Sequence, residues 1–356
     1  MIGANRESTI INAKGLSNGI YIDGIDYPRL RNVVVSGFTV KNANFEGILV
    51  ANARSVTVWG NEVTDNNKSL NASAGTCPGQ PPFETAEGFD CGEGIHLTGV
   101  YYSIVSDNIV EHNAGGILLS DETGATHDNL ISGNVTKDNP LDCGITLASH
   151  PPAALTGSSL PLGVFHNTIS GNESSRNGLA EEGAGAGVGI FDSVPDAKNY
   201  ANVVINNKLT DNGLPGVAMH SHTPHQNLND NVIIGNFIAG NHQDTEDAAT
   251  PGSTGINVFG VSPIKGTIIS QNVIKDEDVQ IAINTPAHVE IHLNNFFDHT
   301  LGVDNLGTGS IDATENWWGC SAGPGGGEEC ASVGGPEVLF TPWLTKPFKV
   351  ALVDVH

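Results

Sequence analysis

The chain has 356 residues, 44 of them Gly and 18 Pro, with 6% aromatic and 15% charged residues, and its formal charge is −24 at pH 7. That charge argues against nucleic acid and anionic lipid as partners, and a polyanionic substrate would need a metal ion or local cations to offset the field. No apolar run approaches the roughly 18 residues of a membrane span, and the composition favours many short strands and tight turns over helices.

The N-terminal MIGANRESTIINAKG opens directly on strand-like sequence. It does not read as a signal peptide. The expectation is an exported, secreted or periplasmic protein of bacterial type whose signal and first coil lie upstream. From there two phrases alternate. One is Gly-apolar-x-apolar, at Gly19-Ile20, Gly47-Ile48, Gly94-Ile95, Gly116-Ile117, Gly144-Ile145, Gly216-Val217 and Gly255-Ile256. The other is an apolar run closing on Asn, at Asn61, Asn108, Asn134, Asn172, Asn207, Asn236, Asn272, Asn294 and Asn316. Gly37 is expected to hold that place one coil earlier. Successive spacings from Asn61 are 47, 26, 38, 35, 29, 36, 22 and 22, so the bare repeat is 22 residues and the excess is loop.

A second Asn column stands five residues on, at Asn66, Asn113, Asn139, Asn177, Asn212 and Asn241. Asn tolerates left-handed backbone at turns, and stacked on itself it passes amide hydrogen bonds from coil to coil. A third short strand follows each closing Asn, as at Val63, Val110 and Leu209. Three strands per coil at a rise of about 4.8 Å describe an all-β parallel β-helix of about ten coils. A 22-residue repeat is too short for the blade of a propeller, which needs about 40–50.

Five cysteines divide by position. Cys77 and Cys91 bracket one insert, Cys320 and Cys330 bracket a Gly-rich loop, and Cys143 is left over. Two local disulfides are expected, with Cys143 a buried free thiol at the start of a strand.

Loops on a rigid solenoid are where function is placed. The strand alignment puts Ser120, Ala148, Phe191 and His220 in one outward column, then Asp121, Ser149, Asp192 and Ser221, then Glu122, His150 and His222. His127, Asp128, His225, Asn227 and Asp230 lie in loops leaving that patch. The acid–base candidates are Asp121, His127, His150, Asp192, His220 and His222, because neutral His takes a proton near pH 7 and a carboxylate orients it. Asp121 and Asp192 are also the pair a glycosidase would use. Asp128, Phe191, His225, Asn227 and Asp230 are the substrate-binding candidates. Several His with an Asp can instead hold a transition metal. Asp244, Glu246 and Asp247, at the other corner, are the acidic residues offered for a divalent ion such as calcium, against the simpler reading of a solvated charge run. His96, His112, His166 and His292 lack such company and read as structural or solvent-facing. No Lys or Arg is expected in the patch, the nearest being Lys137, Arg176 and Lys198.

This repeat grammar resembles the right-handed parallel β-helix proteins built from PbH1 repeats, the group containing NosD-like periplasmic proteins and many pectate-lyase-like enzymes. The ending, Asn316-Trp317-Trp318-Gly319 with Gly323-Pro324 and Pro342-Trp343-Leu344, resembles the closing segment of many exported bacterial members. The resemblance implies one domain, with the helix over residues 1–316 and a cap over 317–356. It implies an exported, monomeric carbohydrate-active enzyme that cleaves or epimerises a polysaccharide in a groove, as hydrolase, lyase or epimerase. The alternative is a non-catalytic exported protein that binds glycan or metal. The Arg or Lys base common in pectate-lyase-like elimination is missing from the patch, and so are the DD and GHG signatures of polygalacturonases.

Overall fold

The computed structural model describes residues 1–84, 91, 93–150, 162–180, 184–192, 194–245 and 249–349. Regular structure among these is strand alone, in short segments of two to seven residues. The strands form three long sheets. The first has 11 strands, from Ile20–Asp23 to Ser332–Gly334; the second has 11, from Val34–Ser36 to Val338–Leu339; the third has 10, from Ile10–Asn12 to Asn295–Phe296. Each turn of chain visits the sheets in that order and pairs in parallel with the turn before it, as Ile117 pairs with Ile145 and Ile145 with Val188. The architecture is a parallel β-helix. A further sheet of 3 strands, Thr126–His127, Val164–Phe165 and Asn199–Tyr200, forms in the chain linking first to second sheet.

Alternation sorts the residues. Ile117, Leu119, Ile145, Leu147, Val188 and Ile190 point inward and are fully buried in one continuous core, each worth about 1.5–3 kcal/mol relative to exposure. The Gly that opens each first-sheet strand has a steric cause. A Cβ on Gly47 would strike the Val63 side chain and the amide of Asn66, and a Cβ on Gly94 would strike Val110 and Asn113. The coil is too narrow there for any side chain.

The Asn columns are ladders. Asn108 Oδ1 accepts from both the backbone N–H and Nδ2 of Asn61, each at 3.0 Å. Asn134 Oδ1 accepts in the same way from Asn108, and the pattern runs to Asn316 with the intervals read from sequence. Each Nδ2 also donates to a carbonyl one coil back, as Asn172 does to Ile131. The second column repeats this from Asn66 to Asn241 and ends on the buried Glu277, whose Oε1 accepts both bonds from Asn241. Burial pushes that carboxyl up to about 8 against those two bonds.

Two expectations are corrected. The left-handed residue is the one before each ladder Asn, as at Gly60, Asp107 and Gly133. Gly37 therefore aligns with Gly60, and Phe38 holds the ladder place, its N–H donating to Asn61 Oδ1 at 3.1 Å. A third ladder, Asn129–Asn167–Asn202–Asn231, turns the chain into the second sheet. It shares the intervals 38, 35 and 29 with the first column, which is the sequence signal that identifies it.

Both disulfides, Cys77–Cys91 and Cys320–Cys330, are formed, and Cys143 is a buried free thiol. Trp318 is buried against Phe296, and Phe340 and Trp343 pack on the same end of the core. Among the described residues no helix is long and apolar enough to cross a membrane.

Asn172→Ala should cost about 2–4 kcal/mol in urea denaturation, because it strips the acceptor from two buried donors of Asn134. Asn44→Ala, at a half-exposed site outside the Asn columns, should cost under about 1 kcal/mol. Equal costs at the two positions would contradict the ladder account.

Candidate active site

Strand pairing sets the site. Phe191 pairs with Ala148 and His220, and Asp192 pairs with Ser149 and Ser221. Asp121 follows the strand Ile117–Ser120 and is held from the next coil: its Oδ1 accepts the His150 backbone N–H at 2.7 Å and its Oδ2 accepts the Ser149 hydroxyl at 2.9 Å. Burial raises the Asp121 carboxyl to about 6, although these bonds and the nearby His150 oppose it. Asp192, fully buried one coil further, is raised well above the usual range by burial and then by the Asp121 charge. The Ser149 backbone and the Asn199 side chain act against that rise.

Asp121, Ser149 and His150 open into a cavity of about 500 Å³ whose other walls include Phe165, Lys198 and Tyr200. The expectation that the patch holds no cation is corrected. The chain from Val194 to Lys198 folds back onto the strand end, where the Lys198 N–H donates to Ser149 Oγ at 3.1 Å, and this brings the exposed lysine to the cavity wall. Asp192 is not part of that wall.

His96 is corrected as well, since it has dense company. It stands on the outer face of Ile95–Thr98, buried, with Nδ1 at 3.4 Å from Glu46 Oε1 and Nε2 at 2.7 Å from Ser120 Oγ and 3.3 Å from Glu122 Oε2. Burial opposes the charged imidazole, but Glu122 and Glu46 outweigh it and carry His96 up to about 10. Burial likewise opposes ionisation of Glu122, and His150 and His96 outweigh it, so that carboxylate stays ionised well below its usual range. Glu122 Oε1 lies 3.9 Å from His150 Nδ1. Glu122 thus joins His96, in the interior, to His150 at the cavity.

The remaining candidates divide. His220, buried on the outer face, lies 3.2 Å from Asp244 Oδ2, and Asn257 Nδ2 donates to the same oxygen at 2.9 Å. Asp244, expected at the opposite corner, therefore folds over the first sheet. Glu246 and Asp247 lie outside the described residues. His222 Nδ1 bonds the Asp192 carbonyl at 2.8 Å, and Phe191 packs 5.2 Å from the His220 ring. His127 is stacked between Tyr101 and Phe165, centroids 5.1 and 4.9 Å away, and Tyr200 continues the column at 5.0 Å from Phe165. Asp128 bonds His127 Nδ1 at 2.7 Å. Asp128, His225 and Asp230 take left-handed turn conformations, and Asn227 Oδ1 caps the Asn229 N–H at 3.1 Å. None of these four lines the cavity.

A profile of the right handed beta helix region matches residues 2–173. No curated protein matches the sequence. Among solved structures, the chain is similar to the DFA-IIIase from Arthrobacter chlorophenolicus A6 in complex with GF2, at 13% identity and TM-score 0.51, over 92% of this chain and 67% of that one. It is also similar to the alginate lyase from Paenibacillus sp. str. FPU-7, at 12% identity and TM-score 0.52, over 93% of this chain and 99% of that one. At such identities the likeness is one of fold. The matched region, the three parallel sheets and this shared architecture identify the fold as a right-handed parallel β-helix.

Proposed function

We propose that the chain is a secreted carbohydrate-active enzyme that works by acid–base catalysis in the Asp121–His150 cavity. The observation that carries this is the pairing, on one cavity wall, of a carboxyl that keeps its proton to about pH 6 with an imidazole backed by an ionised carboxylate. A proton donor and a proton acceptor side by side are what cleavage or epimerisation of a sugar unit requires. In this reading Asp121 protonates the leaving or returning site and His150, oriented by Glu122, takes the proton. Asp192, whose carboxyl burial also pushes upward, sets the environment of Asp121.

Lys198 favours one branch. A cation at the cavity wall offsets the carboxylate of a uronate, whose acidified C5 proton then falls to a base of ordinary strength. Phe165 and Tyr200 supply apolar ring edges on the same wall. Two local disulfides, rare in reducing compartments, support the secreted location. Neighbours of the same fold include an alginate lyase and a DFA-IIIase in complex with GF2, which is consistent with this choice but carries no residue-level argument.

Incubation with a panel of neutral and uronate polysaccharides, read by both reducing ends and absorbance of unsaturated products, should give both signals on a uronate polymer. Asp121→Asn and His150→Gln should each lower kcat about 10²–10⁴-fold, and Lys198→Ala should act mainly on KM. Reducing ends without unsaturation would move the reading to hydrolysis. Activity retained in both Asp121→Asn and His150→Gln would end it.

Stability carries a matching pH signature. The folded chain holds the Asp121 proton to about 6 against 3.8 for the free side chain. The native state therefore binds the extra proton within that window, and Asp121 lowers stability progressively as pH rises through it. The shift corresponds to about 3 kcal/mol at most. Urea midpoints at pH 4 and pH 7 should show Asp121→Asn gaining stability relative to wild type at the higher pH. A gap independent of pH would contradict the raised carboxyl.

A further inference from the structure

A second cluster of titratable groups, Glu46, Glu84 and His96, stands outside the cavity. Glu46 leads into the strand Ile48–Ala51, His96 stands on the adjacent strand Ile95–Thr98, and Glu84 is carried by the loop that the disulfide ties down. Their relative exposures are 0%, 1% and 4%. One oxygen of each carboxylate and one nitrogen of the imidazole lie within 4.8 Å of one another. This is a mixed set of donors converging in the interior from three separate parts of the chain.

The hydrogen bonds of His96 determine what the cluster can hold. The Ser120 hydroxyl donates to Glu122 Oε2 at 2.9 Å, which uses its only hydrogen. Its oxygen, 2.7 Å from His96 Nε2, is therefore an acceptor, and the imidazole proton sits on Nε2. In the neutral ring, Nδ1 then presents a lone pair to Glu46 Oε1 at 3.4 Å. Two acceptors facing each other need a cation between them, either a proton or a metal ion.

The distance favours the metal. An N⁺–H···O⁻ bond closes to about 2.7–2.9 Å. Two donor atoms on one tetrahedral ion, each about 2.0–2.1 Å from it, stand roughly 3.3–3.4 Å apart. Chemistry narrows the ion: one imidazole with two carboxylates suits zinc-like borderline cations, whereas calcium and magnesium favour all-oxygen shells. Ser120 and Glu122 would be the outer partners that fix the tautomer of the ligating ring.

We propose that Glu46, Glu84 and His96 bind one divalent cation of the zinc class, which fastens the disulfide loop to the first sheet. This site is separate from the Asp121–His150 cavity, and its test does not read activity.

The untagged full chain, stripped with EDTA and dialysed, is titrated calorimetrically with ZnCl₂, MnCl₂ and CaCl₂, and metal content is checked by elemental analysis. The expected result is one Zn²⁺ per chain, bound more tightly than Ca²⁺, with protease cleavage between Cys77 and Cys91 slowed by zinc. Glu84→Gln and Glu46→Gln, each confirmed as folded by circular dichroism, should weaken zinc at least about 100-fold. The double change His220→Gln with His222→Gln should leave the stoichiometry at one. No zinc bound by the folded wild type, or unchanged zinc binding in Glu84→Gln, would overturn the site. Calcium bound more tightly than zinc would overturn the assignment of the ion.

Discussion

Everything in this molecule depends on holding each coil in exact lateral register with the next, and the bifurcated amide bond of the ladder Asn does that. One Oδ1 receives both the backbone N–H and the side-chain N–H of the Asn one coil back, as Asn134 receives both from Asn108. A slip of one residue would leave two buried donors without an acceptor and turn every inward Ile and Val outward. The apolar core supplies most of the stabilising energy, but it is tolerant of small shifts. The ladders, anchored at turns in left-handed backbone, are not.

Register of this kind is what makes a site possible from residues far apart in the chain. Ser120, Asp121 and Glu122 end one strand, Ser149 and His150 end the next, and Asp192 ends a third. Apart from the Ser120 hydroxyl, which donates to Glu122, the contacts among them join different coils, as Asp121 accepts from Ser149 and His150. Because the coils stack in parallel, the strand ends form a short column, and the insertions that follow these strands depart from the same corner without disturbing it. The described segment 194–198 folds back onto the column, whose carboxyls are buried. Burial in turn moves the protons: Asp121 and Asp192 upward for want of solvent, Glu122 downward because two imidazoles face it. The chain thus keeps an acid and an ionised carboxylate on adjacent residues, Asp121 and Glu122, by aiming them at different neighbours.

How far sequence reaches can be read from particular residues. Period carries the fold, so the Asn columns, the first-sheet strands and the alignment of Phe191 with His220 are visible in one dimension. The Asp121, His150 and Asp192 group is visible for the same reason, since these residues follow aligned strands. His96 is not. It stands alone between Ile95 and Leu97 in its strand, and its partners Glu46, Ser120 and Glu122 come from two other coils. Glu84 and Lys198 are less visible still, because loops carry them and loop paths obey no period. Asp244 crosses to His220 by a return of the 242–245 segment that composition alone does not encode. The third Asn ladder was legible in principle, as its intervals repeat those of the first.

The central claim is that stacking and burial hold Asp121 protonated toward neutral pH on the same wall as His150. Carboxyl ¹³C NMR of the Asp-labelled chain, with the Asp121 signal assigned by its loss in Asp121→Asn, measures that state directly. The account predicts a midpoint near pH 6 for this signal, with Asp192 also raised above the usual carboxylate range. An Asp121 carboxyl already ionised at pH 4, in a chain that is fully folded, would contradict it.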